Sequence, residues 1–366
     1  MAEVAGRRGP GVRRRLWDAA AWLTTPLLPD DYLGLVNPLW SSRELCGRVV
    51  AVQPESADAA SLVIRPAAGW AGHRAGQYVR VGVDVDGVRR WRTYSLSSAP
   101  ERADGCITIT VKAVRDGLVS SHLVRRITPG SVVRLGQPEG RFVLPEALPS
   151  RLLFLTGGSG ITPVMGMLRS LVCRGALPDV VLVHSAPTRD DVIFGTELRD
   201  LAVRFPSLRL HERHARAGAR SRGRLTMAQL AGICPDWSAR QVWACGPTKM
   251  LEDAETHWRA AGLADRLHVE HFRSEVATSG GVGGRVRFVR SGREADADGG
   301  TPLLVVGEEA GVLMPSGCRM GICFSCVARL RSGRVRDLRT GQERGEEGEL
   351  IQTCVSAAAG TVEIEL

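Results

Sequence analysis

Residues 318–326, CRMGICFSC, place Cys318, Cys323 and Cys326 within a single short loop, and no other stretch constrains the fold as tightly. Three thiols this close raise the question of what they hold. A zinc site would need a fourth ligand and often a second CxxC pair, a thioredoxin-like thiol pair would stand alone, and an iron–sulfur site would need one more distant cysteine. The next cysteine is Cys354, in IQTCVS. The arrangement is therefore C-x4-C-x2-C followed by one remote cysteine, the plant-type [2Fe–2S] spacing. Two tetrahedral irons sharing two sulfides take four thiolates, and one loop presents three of them only by bending sharply. Gly317 and Gly321 supply that freedom. Met320, Ile322 and Phe324 are expected to shield the cluster from water. Zinc is the remaining alternative. Cys46, Cys106, Cys173 and Cys234 show no such grouping and are expected to be buried or inert.

At 366 residues the chain is long for one core. From about residue 45 to 146, short alternating runs (GRVVAV, ASLVIR, QYVRVGV, CITITVKAV) separated by turn residues predict an antiparallel barrel. At RLLFLTGGSGITPVMGMLRSL an apolar strand over 152–156 runs into a Gly-rich turn and a helical pattern. DVVLVHSA and QVWACGP are further buried parallel strands of the same α/β unit. SEVATSGGVGGR, rich in Ser and Gly, predicts a linker. Beyond it, RVRFVRSGRE predicts a hairpin, TPLLVVGEEAG a short helix and GTVEIEL a final strand around the cysteine loop.

PSGCRMGICFSC with ELIQTCVS resembles the C-terminal ferredoxin domain of the ferredoxin-reductase superfamily, and RTYSLSS (92–98), GGSGITPVMGML (157–168) and ACGPTKML (244–251) follow in that family's order. The resemblance covers nearly all of 41–366. It implies a multidomain α/β plus β architecture: an N-terminal extension (1–40), an antiparallel flavin-binding β-barrel (41–148), a Rossmann-like NAD(P) domain (149–273), a linker (274–285) and a β-grasp ferredoxin domain (286–366).

The resemblance also assigns roles. Arg92 pairs with FAD phosphate, Tyr94 stacks on the isoalloxazine and Ser95 sits near N5; Lys112 and the cradle of Gly117, Val119 and Ser120 complete the flavin site. FMN is the alternative flavin. TGGSGITPV has neither the G-x-G-x-x-G spacing nor a P-loop Lys. In the reductase version, Gly157, Gly158 and Gly160 admit the nicotinamide nucleotide, with Thr162 and Pro163 starting the helix beneath it. Cys245, followed by Gly246 and Pro247, falls beside the nicotinamide, Glu270 near the hydride path, and Phe272 over the flavin or in plain packing. Ser185 and Arg189, helped by Arg222 and Arg224, favour NADPH; Asp190 and Asp191, if turned inward, favour NADH.

The formal charge of +9 partly resides in Arg7, Arg8, Arg13, Arg14 and Arg15, and no basic stripe interleaved with aromatics follows, which argues against nucleic acid. In RRRLWDAAAWL, Asp18 interrupts an apolar run too short for a signal core or a membrane span. A cytoplasmic monomer is expected. Residues 22–45, WLTTPLLPDDYLGLVNPLWSSREL, resemble the start of actinobacterial NADPH oxidoreductases serving membrane-bound fatty acyl desaturases. Peripheral membrane contact through this segment and packing over the barrel are both open. No oxygen-activating motif is present, so electrons leave to an acceptor oxygenase: a membrane di-iron acyl desaturase first, an aromatic-ring or alkane hydroxylase second. A third reading is a ferredoxin relay with a degenerate flavin half, against which intact RTYSLSS and ACGP count.

Overall fold

The computed structural model describes residues 37–40, 44–114, 117–215, 225–272, 282–317, 321 and 324–366. The N-terminal extension through residue 36, most of the 274–285 linker, Arg222, Arg224, Cys318, Met320, Ile322 and Cys323 lie outside the described residues.

Strands β1 (Cys46–Ser56), β2 (Ala59–Pro66), β3 (Tyr78–Val85), β4 (Val88–Ser95), β5 (Ile107–Lys112) and β6 (Val132–Leu135) form a six-stranded sheet in the order β4-β3-β6-β1-β2-β5. All of its pairings are antiparallel. Leu96, just past β4, bridges Ile109 of β5 and brings the two edges together. Alternation explains the inside: Val79, Val81, Val83 and Val85 of β3 are buried with Leu62, Ile64 and Ile109. Helix α1 (Leu118–Arg125) plugs this core with Val119 and Leu123.

The second sheet is parallel and five-stranded, in the order β11-β10-β7-β8-β9: β7 (Arg151–Gly157), β8 (Asp179–Ala186), β9 (Leu208–His214), β10 (Gln241–Cys245) and β11 (Leu267–Glu270). Parallel strands covered on both faces need unbroken apolar runs, and VVLV of β8 and VWAC of β10 are buried throughout. One face packs on α2 (Ile161–Cys173) and α3 (Gly195–Arg204). The other packs on α4 (Met227–Ile233) and α5 (Thr248–Ala260).

The barrel and this unit are joined by polar contacts. Arg169 of α2 donates to both carboxylate oxygens of Glu197 (2.9 and 2.5 Å) and to the Ser97 carbonyl (2.7 Å). Ser170 donates to Glu101 (2.8 Å), and Glu55 accepts from the Phe194 amide (3.2 Å).

The C-terminal unit holds β12 (Gly284–Phe288), β13 (Arg293–Ala297), α6 (Leu303–Glu309), β14 (Val327–Asp337), β15 (Glu343–Arg344), β16 (Leu350–Gln352) and β17 (Ser356–Ile364). Its sheet order is β13-β12-β17-β14-β15, with β16 on β14, and only β12–β17 is parallel. Leu303, Leu304 and Val306 of α6 join its core. The hairpin, short helix and final strand expected from the sequence are all present. Among the described residues no helix is long and apolar enough to cross a membrane.

Cys46, Cys106 and Cys234 are buried, but Cys173 is exposed. The expectation of burial fails there because Cys173 is the last residue of α2, where the helix leaves the core and Arg174 faces water.

Candidate functional site

The flavin-motif residues lie on β4, which pairs with β3 so that Val79 faces Tyr94 and Val81 faces Arg92. Tyr94 is half-buried against the barrel core, and burial pushes its hydroxyl well above the usual range. Arg92 donates to the Trp91 carbonyl (2.7 Å), and Ser95 is buried at the strand end. Arg90, on the same face, has a buried Nε with no hydrogen-bond partner, the kind of orphan that an acceptor on a bound group satisfies.

The rest of the expected flavin site is mixed. Gly117 is the N-cap of α1 and makes no side-chain cap, which leaves first-turn N–H groups for a ligand. Val119 is buried in the barrel, so only its backbone is available. Ser120 Oγ accepts from the Val114 amide (3.1 Å), and Lys112 is paired with Asp58 (2.7 Å).

Gly157 ends β7, and Gly158 turns the chain at φ +54°, a conformation that favours glycine. Gly160 follows, and a Cβ there would run into the Cys245 carbonyl and the Gly246 amide. Gly160 caps α2 without a side-chain bond; Ile161 donates back to the Gly158 and Ser159 carbonyls and Pro163 has no N–H, so the Thr162 amide is what this first turn has left to turn toward an anion. Thr162 donates to the Ser159 carbonyl (3.0 Å) and secures the turn. A Cβ at Gly157 would stand 2.7 Å from Pro247. The GGSG and ACGP segments are thus backbone to backbone. Ser185 lies level with Gly157 on the neighbouring strand.

Cys245 and Glu270 sit side by side at the carboxyl edge of the parallel sheet. Cys245 is wholly buried, and burial followed by the Glu270 charge pushes its thiol well up. Burial raises the Glu270 carboxyl to about 8, and its Oε2 is shielded with no hydrogen-bond partner. Phe272 is half-buried against the core that contains Cys245. Arg189 and Asp190 are exposed, whereas Asp191 accepts from Thr188 (2.7 Å).

The segment after the flavin motif meets the helix after the Gly-rich turn. A Cβ at Gly166 would stand 2.5 Å from the Leu96 carbonyl, and Arg169 holds the Ser97 carbonyl. The flavin and nucleotide motifs therefore share one interface.

Two features here escaped sequence reasoning. Thr156 Oγ1 is bonded to His184 Nδ1 (2.8 Å), next to Cys245, and burial lowers His184 to about 4. Arg80 of β3 donates to Ser325 in the cysteine loop (2.9 Å). Neither pair carries a local motif.

In the C-terminal unit, Cys326 and Cys354 are buried with their sulfurs 3.1 Å apart. Thr353 ties the two loops by donating its amide (3.1 Å) and hydroxyl (2.9 Å) to the Cys326 carbonyl. Gly321 has φ +72°, and its carbonyl accepts from Arg339 (3.1 Å) and Gln352 (3.0 Å). Two buried thiols converging from two tied loops, one of them bent through Gly321, suit a metal–sulfur centre. Phe324 corrects the expectation of a shield: it is 67% exposed, because its left-handed backbone (φ 55°) turns the ring outward.

The family description "Oxidoreductase FAD-binding domain" matches residues 48–144, "Oxidoreductase NAD-binding domain" 154–256, and "2Fe-2S iron-sulfur cluster binding domain" 287–359. An NADPH oxidoreductase of Mycobacterium tuberculosis (strain ATCC 25618 / H37Rv) is 52% identical over 99% of this chain and 95% of its own. The glycine betaine monooxygenase reductase subunit of Chromohalobacter salexigens is 31% identical over 80% of this chain and 87% of its own. Phthalate dioxygenase reductase, at 24% identity, shares the fold with a TM-score of 0.64 over 90% of this chain and 99% of its own. With barrel, parallel sheet and cysteine module in that order, the chain belongs to the ferredoxin-reductase-like NAD(P)H oxidoreductases that carry FAD-binding, NAD-binding and C-terminal [2Fe–2S] domains.

Proposed function

We propose that this reductase takes hydride from NADPH and delivers single electrons to a membrane-bound di-iron fatty acyl desaturase. The observation that carries the reading is the extent of one match. Identity with the mycobacterial NADPH oxidoreductase runs over 99% of the chain, so it takes in the N-terminal segment, whereas the monooxygenase reductase match covers 80%. Residues 22–45 are where the resemblance to desaturase-serving reductases lies.

Bound FAD supplies the conversion of one two-electron hydride into two single-electron transfers, which the cluster carries singly. Tyr94 and Ser95 would hold the isoalloxazine, Arg92 and the backbone of Gly117–Ser120 the diphosphate, and Phe272 the flavin face. Gly157, Gly158, Gly160 and Thr162 would cradle the nucleotide, with Cys245, Gly246 and Pro247 at its nicotinamide end. Glu270 keeps its proton at neutral pH and would hold it beside the hydride path. Ser185 and exposed Arg189 favour the ribose phosphate of NADPH, since Asp191 is engaged by Thr188. Cys326 and Cys354, with Cys318 and Cys323, would ligate the cluster.

A second reading, reductase of a small-molecule monooxygenase, is favoured by the names of two relatives. Besides the betaine enzyme, the 3-ketosteroid-9-alpha-monooxygenase ferredoxin reductase component of Mycolicibacterium smegmatis is 31% identical over 79% of this chain. The test mixes holoprotein, NADPH or NADH, an acyl-CoA and vesicles carrying a di-iron acyl desaturase. NADPH consumption in step with unsaturated product supports the desaturase. No product, with turnover of a soluble monooxygenase component instead, moves the acceptor to the second reading.

A further inference from the structure

Arg80 lies in the strand run QYVRVGV, outside the flavin, nucleotide and cysteine motifs, yet it links two cofactor regions. Its backbone sits opposite Thr93, between Arg92 and Tyr94 of the flavin motif. Its guanidinium donates through Nη1 to Ser325 Oγ (2.9 Å), and Ser325 falls between Cys323 and Cys326. Its Nε, buried and without a hydrogen bond, stands 3.7 Å from Glu139.

The surroundings hold this side chain in place. Glu139 is fixed by two backbone bonds with Tyr78, each 2.9 Å. Gly136 donates its amide to the Arg80 carbonyl (2.8 Å), and a Cβ at Gly136 would stand 3.3 Å from Arg80 Cβ and Nε. Glycine there leaves room for the guanidinium to lie across the barrel wall. A planar fork can bond the Ser325 hydroxyl through Nη1 while its Nε edge faces the Glu139 carboxylate as an ion-pair neighbour, a two-directional geometry that a lysine ammonium on a flexible stem does not fix. Ser325 thus faces the barrel while the adjacent Phe324 faces water.

We infer that Arg80 is a positioning residue that pins the cysteine loop to the flavin-bearing strand pair and so sets the rate of flavin-to-cluster electron transfer. This rests on the ligand roles proposed for Cys323 and Cys326. The step is a one-electron transfer: one ferric iron becomes ferrous, the reduced flavin is oxidised by one electron, and no bond forms or breaks. Such a transfer is steeply sensitive to separation, so releasing the loop slows it without touching hydride arrival.

The test is anaerobic stopped flow of the holoprotein with NADPH, with freeze-quench EPR for the reduced cluster. Arg80→Ala and Ser325→Ala should each bleach flavin at the parent rate but slow the cluster phase by about tenfold or more, the scale of a small misplacement. The double variant should be no slower than either alone, and Arg80→Lys should recover part of the loss. In the oxidised holoprotein, amide exchange over residues 324–330 should rise in both variants, and the cluster's midpoint potential should hold in Arg80→Ala. An unchanged cluster phase overturns the proposal, as does a shifted potential that accounts for the slowing. Equal slowing of flavin bleaching would instead assign Arg80 to flavin binding. Failure of NADPH to bleach the parent protein would strike the reductase reading itself.

Discussion

Glu270 stands in register with Cys245 across β11 and β10, and the same row continues through Thr156 and His184 to Glu212 on β9. In-register neighbours of a parallel sheet point to one face, so five polar or thiol side chains cross the carboxyl edge of an otherwise apolar surface. Ligands of open α/β sheets bind at that edge. The row is where this sheet trades packing for chemistry, since the shielded Oε2 of Glu270 and Nε2 of His184 are without hydrogen-bond partners.

The Glu270 carboxyl makes the first prediction. Burial raises it from 4.5 to about 8, so the folded chain holds a proton that the unfolded chain has released. Stability should therefore fall as pH rises from about 4.5 to about 8 and level off above that. Glu270→Gln removes the titration. Urea midpoints across this window should decline in the parent and stay flatter in the variant; parallel profiles would show that Glu270 titrates normally.

Glycine positions give a paired prediction. Gly158 has φ +54° but open space around its missing Cβ, so Gly158→Ala should cost about 1 kcal/mol, the strain of a left-handed residue. At Gly160 the Cβ meets backbone of Cys245 and Gly246, which cannot swing aside. Gly160→Ala should cost more, about 1–3 kcal/mol, and should weaken nucleotide binding as the two loops part. Chemical denaturation and nucleotide titration of both variants check the order.

How far the sequence reached depends on how local each signal was. Apolar runs in DVVLVHSA and QVWAC announce buried parallel strands because burial on both faces leaves no room for polar residues. The turn at Gly158 and the Cys326–Cys354 pair were visible through spacing. Thr156 and His184 were not, because each sits near the end of an ordinary strand and only the register between β7 and β8 joins them. Arg80 and Ser325 are 245 positions apart. Exposure of Phe324 and Cys173 depends on a backbone dihedral and on where a helix leaves its core, and apolar character alone encodes neither.

Arg240 is fully buried, held by Asp236 (2.9 Å) and Asp179 (2.7 Å) and by the carbonyls of Leu152 and Asp179. Its carboxylates reach solvent, so Arg240→Ala should cost about 3 kcal/mol, the low end for breaking a buried pair. The Arg240 hydrogen bond holds Asp236 down at about 2. Because that value is depressed, its stabilisation is present above the ordinary 3.8 and is lost as pH falls towards 2. Acid unfolding should thus be shallower between pH 4 and 2 in Arg240→Ala than in the parent.

The last prediction separates the two redox units. Cys354 lies 3.1 Å from Cys326 and is packed in the core of the C-terminal unit. A serine there keeps the shape but replaces a thiolate with a poor ligand for iron. In Cys354→Ser, iron and acid-labile sulfide per chain should drop sharply, and the reduced-cluster EPR signal should vanish or change form. Flavin bleaching by NADPH should persist at the parent rate, because every residue proposed for hydride delivery lies between Arg92 and Phe272. Full iron and sulfide with an unaltered signal would remove Cys354 from the ligand set. Loss of flavin bleaching along with the cluster would mean that the units do not act separately, and would make the loop that Arg80 holds a structural support for the barrel.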